Sequence, residues 1–441
     1  MSEQTLVDAK AAGGSNGANG SNGKPARPAA SRLQRMAMGA AALGAVVGPG
    51  LIAGLSDDDA AGITTYSSLG ASYGYQLLWV LGVSTIALIL FQDLGARIGV
   101  VTGQGLAGLI RQRYGARAGV ASIGALVLAN LGTTCAEFAG IAAGAEIFGL
   151  SRYIAVPLAA GLVSVLVLRG GFRGVERVLL ALSAVLVAYI AAGILAGPDW
   201  GAAAHGLLVP TMPLTKDAIL LATATLGTTL APWGLAFIQS YAVDKKLDTK
   251  ELGLLRIDVV TGAILTGVIG FFVVVACAAT MFVKGIAITD AASAAVALEP
   301  LAGPLTKELF AVGLLGASLL AASILPLSTA YSVCDVAGRP AALDDSPREA
   351  PLFYGTFAVV TVVAVLLVLI PGMPLVPVLV LSQVLNAVLL LPLLFYMAGI
   401  ARDRRLMGEY AVGRRVTSVY YVVIGLIIVC IGLMFILNVI R

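Results

Sequence analysis

The sequence predicts an all-α integral membrane protein, and three observations carry that prediction. Of the 441 residues, 59% are hydrophobic and only 12% charged, with a mean hydropathy of +0.95. A soluble domain carries about twice that share of charge. Apolar stretches recur near 37–56, 76–95, 118–147, 152–170, 177–197, 217–242, 257–283, 307–336, 352–371, 374–400 and 416–440, each of the roughly 17–25 residues or more that a span needs. Basic residues also fall on alternate sides of these eleven stretches, as the positive-inside rule requires.

In chain order, residues 1–35 are Gly, Ser, Asn, Ala and Pro with scattered Lys and Arg, which predicts a disordered cytoplasmic tail. The first long apolar run begins only near Met36, so the tail lacks a signal-peptide pattern. Residues 36–441 form the membrane domain. With the N-terminus inside, the inner segments hold Lys10, Lys24, Arg27, Arg32 and Arg35; Arg97, Arg111, Arg113 and Arg117; Arg169, Arg173 and Arg177; Lys245, Lys246, Lys250 and Arg256; Arg339 and Arg348; and Arg402, Arg404, Arg405, Arg414 and Arg415. Only Arg152, Lys216, Lys284, Lys307 and Arg441 fall outside. The expected location is the cell membrane, with a cytoplasmic N-terminus and an extracellular C-terminus.

The end of the first span is the stretch around which the rest is organised. Gly48 to Tyr66 contains Asp57-Asp58-Asp59 between Gly54 and Gly62. An ionised Asp in hydrocarbon costs from about 3 to more than about 10 kcal/mol, so such acids need a partner. A hard divalent cation suits carboxylate oxygens. Successive helical residues point about 100° apart, so three adjacent acids share one site only if the helix breaks. The alternative is that the helix stops at Ser56 and the acids lie in an aqueous loop.

Five spans later, Leu226-Gly227-Thr228-Thr229-Leu230-Ala231-Pro232-Trp233-Gly234 interrupts the sixth span. Pro232 removes a backbone donor and Gly234 lowers the cost of a break. A proline kink alone explains that stretch. Paired with the first span, it points to two five-helix halves of opposite topology, each opening with a helix broken at the midplane, plus an eleventh helix.

Gly48-Pro49, the Asp eleven residues after Gly48, and Ser72-Tyr73-Gly74-Tyr75-Gln76-Leu77-Leu78-Trp79-Val80 resemble the opening of the NRAMP family of divalent-metal transporters. Gly99-Val100-Val101-Thr102-Gly103-Gln104 and, more weakly, Gly171-Phe172-Arg173 extend the resemblance over roughly residues 40–400. It implies a LeuT-like fold and aligns Asp59 with the family's metal-binding Asp, while Gly62 takes the place of its Asn ligand. In the sixth helix Ala231 replaces the soft Met ligand, Trp233 replaces a His of the proton route, and Thr228 is a neighbouring oxygen donor. In the third helix Thr134 replaces an Asp and Glu137 keeps a Glu of the proton pathway. In the tenth, Ser382-Gln383-Val384 is similar to a run whose Gln approaches the metal. Loss of the Met and Asn resembles the NRAMP-related magnesium-transporter branch.

The expected metal site is therefore Asp59, Gly62, Thr228, Ala231 and Gln383, with Asp57, Asp58, Glu137, Trp233 and Asn386 as accessories. Asp57 and Asp58 are expected to form an acidic vestibule. For Glu137, a protonated carboxyl bonded between helices is the alternative. For Gln383 and Asn386, at i and i+3, it is interhelical bonding.

These readings lead to a secondary transporter that imports Mg²⁺, with Mn²⁺ a further substrate, by alternating access and without proton coupling. The alternative is a proton-coupled Mn²⁺/Fe²⁺ importer relayed by Glu137. The ion is cargo, and no cofactor is expected. His205, the sole histidine, lies in an outer loop, and Cys135, Cys277, Cys334 and Cys430 sit in apolar stretches without CxxC spacing. A membrane-embedded hydrolase is disfavoured because no second ligand cluster or activated nucleophile appears. A sodium-coupled amino-acid carrier is disfavoured because the acids would repel a substrate carboxylate. The net charge of +4 resides in loops, so no nucleic-acid partner is implied.

Overall fold

The computed structural model describes residues 56–183, 187–288, 306–339, 343 and 345–439. The tail, nearly all of the first expected span and Arg441 lie outside the described residues, as do the basic residues assigned to the tail. Every regular element among the described residues is helical.

The chain runs α1 (Ala60–Tyr73), α2 (Leu78–Thr102), α3 (Leu106–Tyr114), α4 (Ala116–Ile147), α5 (Arg152–Ser183), α6 (Val187–Leu195) and α7 (Trp200–Leu208). It continues as α8 (Lys216–Thr229), α9 (Pro232–Asp244), α10 (Leu252–Cys277), α11 (Thr306–Ala337), α12 (Pro351–Val368), α13 (Leu375–Ala401), α14 (Arg404–Met407) and α15 (Arg414–Val439). A π-helical turn, Ala278–Phe282, prolongs α10.

Nine segments among the described residues are long and apolar enough to cross a bilayer, at positions matching the expected spans from the second onward except 177–197. That stretch is divided between the end of α5 and the nine-residue α6, with residues 184–186 outside the description. α5 also stays helical through Gly171-Phe172-Arg173, the weaker of the family matches. A glycine costs a helix only about 1 kcal/mol, which does not force a break. Two short helices, α3 and α7, appear where loops were expected. His205 is exposed on α7, in keeping with its outer-loop assignment.

The core lies between helices rather than inside one compact layer. α4 packs along α11 and α13, while α1 is enclosed by α10, α8 and α13. α8 and α9 together form the most deeply buried span, 94% of its apolar window being enclosed. Helices at the periphery, such as α5 and α15, keep apolar residues such as Leu158 and Val422 outward, as a lipid-facing surface requires. The four cysteines are free and buried, as expected of small apolar fillers.

Candidate metal site

The site is built on the start of α1. Ser56 is helical, residues 57–59 form a bend, and α1 begins at Ala60. Asp59 is its N-cap: the backbone is extended (φ −71°, ψ 179°) and the Oδ1 atom accepts from the Gly62 N–H at 2.6 Å. A carboxylate is favoured there because the first N–H groups of a helix lack partners and carry partial positive charge. The aqueous-loop alternative is ruled out, because Asp57, Asp58 and Asp59 are only 1%, 1% and 3% exposed.

The break separates the three acids. Asp57 Oδ2 accepts from Gln92 Nε2 of α2 at 3.3 Å, and its Oδ1 faces Gly234 of α9. Asp58 has no hydrogen-bond partner on either oxygen. The expected vestibule is thus corrected: burial hides these two acids from solvent and leaves no surface field to gather ions. A buried carboxyl without donors is tolerated with a proton or a cation beside it.

Asp59 instead meets neutral oxygens. Gly62 carries no Cβ, and the point one would occupy lies 2.7 Å from the Asp57 carbonyl O, 3.0 Å from Thr228 Oγ1 and 3.2 Å from Asp59 Oδ1. Thr228 Oγ1 is buried and has no hydrogen-bond partner. Three oxygens from both broken helices therefore surround one small gap, which any side chain at position 62 would fill. Among the described residues, no three His, Cys, Asp or Glu side chains converge into a metal-holding group. A cation placed here would meet one carboxylate plus carbonyl and hydroxyl oxygens, a donor set suited to hard ions that keep part of their water.

Glu137 of α4 stands on the other side of Asp59. Its Oε2 accepts from the Ala60 N–H at 3.1 Å, next to the N-cap Asp59, and its Oε1 is buried without a partner.

The second break lies at Leu230-Ala231, between α8 and α9, with Pro232 at the first position of α9. Pro232 fits there because its missing N–H would be unbonded in any helix start. Ala231 joins a core with Trp233 and Phe237 and brings no donor side chain. The Trp233 carbonyl accepts from Ser328 Oγ at 2.9 Å, while its indole N–H is buried without a partner.

Gln383 and Asn386 share one face of α13, and the Gln383 carbonyl packs against Gly227, the residue before Thr228. The Gln383 Nε2 donates to Ser382 Oγ at 3.2 Å and its Oε1 accepts from Asn386 Nδ2 at 2.9 Å. Asn386 also bonds Thr133 Oγ1 of α4 at 2.9 Å. Thr134 turns back to the Asn130 carbonyl at 2.6 Å. Two contributors escaped the sequence reading. Gln92, a lone amide in an apolar span, signalled its role by that isolation. Tyr66, whose hydroxyl meets Thr229 Oγ1 at 3.0 Å and so ties α1 to α8, carried no signal.

A family model described as Natural resistance-associated macrophage protein-like, Nramp, matches residues 50–438. The chain belongs to the Nramp family. The divalent metal cation transporter MntH of Bacillus subtilis (strain 168) is 30% identical over 398 residues, 87% of this Nramp chain and 89% of that protein. The MntH of Burkholderia ambifaria is 33% identical over 298 residues, 64% of this chain and 66% of that one. Among solved structures, the Eremococcus coleocola manganese transporter superposes with a TM-score of 0.71 at 19% identity, covering 90% of this chain and 87% of that one. The nucleobase-cation-symport-1 family transporter Mhp1 does so with 0.59 at 18%, covering 89% and 90%. At such identities these likenesses speak to fold. This Nramp chain has the LeuT-like inverted five-plus-five arrangement, with α15 in the place of the eleventh helix.

Proposed function

We propose that the protein is a multi-pass transporter of the cell membrane that imports divalent metal cations, Mn²⁺ foremost, by alternating access and with a linked proton movement. The observation that carries this reading is the gap at Gly62, ringed by Asp59 Oδ1, the Asp57 carbonyl and the unpartnered Thr228 hydroxyl. Support for the ion comes from MntH relatives named as divalent metal cation transporters and a structural neighbour named as a manganese transporter. Support for proton linkage is the placing of Glu137 beside Asp59: the two carboxyls accept from neighbouring N–H groups at the start of α1, those of Ala60 and Gly62, and a cation entering there would favour release of a proton from either acid. The N-terminus is cytoplasmic and the C-terminus extracellular, as the distribution of Lys and Arg indicates.

One observation favours a second reading, Mg²⁺ import without proton coupling. Gly62 and Ala231 present neither amide nor thioether to the gap, Trp233 offers only an indole donor, and His205 is exposed on α7. Oxygen and water ligands alone suit Mg²⁺ as well as Mn²⁺. An inside-negative potential could drive either ion, since two charges across 100 mV are worth about 4.6 kcal/mol.

One experiment separates the two. Purified protein is reconstituted in liposomes containing a pH-sensitive dye, and Mn²⁺ or Mg²⁺ uptake is followed at clamped potential. Mn²⁺-dependent acidification that disappears in Glu137→Gln supports the first reading. Uptake of Mg²⁺ without acidification supports the second. Absence of uptake of both ions rejects divalent transport.

A further inference from the structure

At the end of the molecule where the sequence gathers arginines, a cleft of about 630 Å³ opens between α3, the end of α13, α14 and α15. Arg113, Arg402, Arg404 and Arg405 line it, together with a single carboxylate, Asp403. Asp403 is spent on Arg113, with which it forms an ion pair, and on the start of α14, where it accepts from the Arg405 backbone N–H at 2.8 Å. The Arg113 guanidinium is fixed further, 5.3 Å above the Tyr114 ring. Among the described residues, the guanidiniums of Arg402, Arg404 and Arg405 have no ion-pair partner, and all three residues are exposed. Guanidinium groups favour phosphate oxygens because their donors form a planar fork.

The surroundings say what kind of phosphate fits. Tyr421 of α15 forms one wall and is itself 37% exposed, its ring 6.0 Å from Phe395 of α13. Beyond it, Phe395 and Val422 are 45% and 70% exposed. Phe395 lies about two turns before Arg402 on α13, and Tyr421 and Val422 about two turns after Arg415 on α15, so the cleft opens where hydrocarbon meets headgroups. A soluble anion would use the arginines and leave that apolar wall idle.

We propose that this cleft binds the headgroup phosphate of an anionic phospholipid, with its acyl chains lying along Phe395, Tyr421 and Val422. The lipid thereby joins α15 to α13 and α3 at a place where the protein's own charges do not neutralise one another. The cleft takes no part in the metal site, and its test is independent of transport.

Native mass spectrometry of the detergent-purified full chain, titrated with phosphatidylglycerol and separately with phosphatidylcholine, tests the proposal. One phosphatidylglycerol should be retained in preference to phosphatidylcholine. The variant Arg402→Gln/Arg404→Gln/Arg405→Gln should weaken it about tenfold or more, given the strong pull of each basic residue on anionic lipid. Arg117→Gln/Arg414→Gln/Arg415→Gln removes the same charge from the same end without touching the cleft, and should leave binding unchanged. If the cleft triple variant does not fold, each of its single substitutions should lower affinity several-fold. Equal loss in the two triple variants, equal binding of phosphatidylcholine, or displacement of the lipid by millimolar inorganic phosphate would each overturn the proposal.

Discussion

At the start of α1, three carboxylates are folded into the interior and one of them, Asp58, meets no donor at all. At the α8–α9 break the chain is interrupted with no ionisable group nearby in sequence, and its backbone is largely satisfied. The Leu230 N–H donates to the Leu226 carbonyl at 3.0 Å and the Gly234 N–H to that of Ala231 at 3.1 Å. One break stores charge and the other offers neutral oxygen. A cation needs both, because charge alone attracts without selecting and neutral oxygens alone cannot offset dehydration. On the proposed reading the ion would sit on the α1 side of the gap, with Thr228 completing its shell.

The largest effect should follow from deleting the charge. Asp59→Ala should lower Mn²⁺ uptake by about 100-fold or more, equivalent to roughly 3 kcal/mol, with the protein still monodisperse on gel filtration. Wild-type uptake by this variant would place the ion elsewhere. Next comes the gap itself. Gly62→Ala should cost about tenfold in apparent Mn²⁺ affinity, since its Cβ would stand 2.7 Å from the Asp57 carbonyl. The same clash means that an asparagine at position 62 cannot simply restore the family's amide ligand.

On the neutral side, Thr228→Val keeps the shape and removes the hydroxyl. An affinity loss of severalfold, smaller than for Gly62→Ala, is expected from isothermal titration with Mn²⁺. An unchanged affinity would break the comparison, because the second helix would then contribute no ligand. Ala231→Met should raise Cd²⁺ competition against Mg²⁺ severalfold by introducing a thioether; an unaltered ratio would mean that position 231 does not face the ion. The smallest effect belongs to Asn386→Ala, which breaks an interhelical bond worth about 1 kcal/mol or less. Thermal unfolding should show a slight drop, with Mn²⁺ uptake preserved.

Much of this was legible in the sequence for identifiable reasons. Hydropathy and loop charge located the spans because a bilayer imposes length and polarity on every crossing segment. Asp59 stood out because an acid beside a glycine-flanked apolar run is expensive. The paired break was readable through Pro232. What stayed hidden depends on direction rather than identity. Asp57, Asp58 and Asp59 look equivalent in a string, and only the bend at 57–59 sends one to Gln92, leaves one unpartnered and gives one to Gly62. Gln383 looked like a ligand, yet its amide is occupied by Ser382 and Asn386 on its own helix. α5 stays helical through Gly171, which glycine propensity alone does not decide.

Glycine-mediated contact among the central helices has a mechanical consequence. Gly70 of α1 lies against the Val274 carbonyl of α10, and Gly99 of α2 against Gln239 of α9, where a Cβ would come within 2.7 Å of the Gln239 carbonyl. Backbones in such contact can turn together but cannot slip lengthwise, because one residue of travel would drive a side chain into a carbonyl. The gap beside Asp59 is therefore carried on a stiff lever. The same close contact recurs where Gly140 of α4 meets Ala60 of α1 and where Gly227 of α8 meets the Gln383 carbonyl of α13, so any change of access at the gap must carry these helices along with it rather than slide one past another.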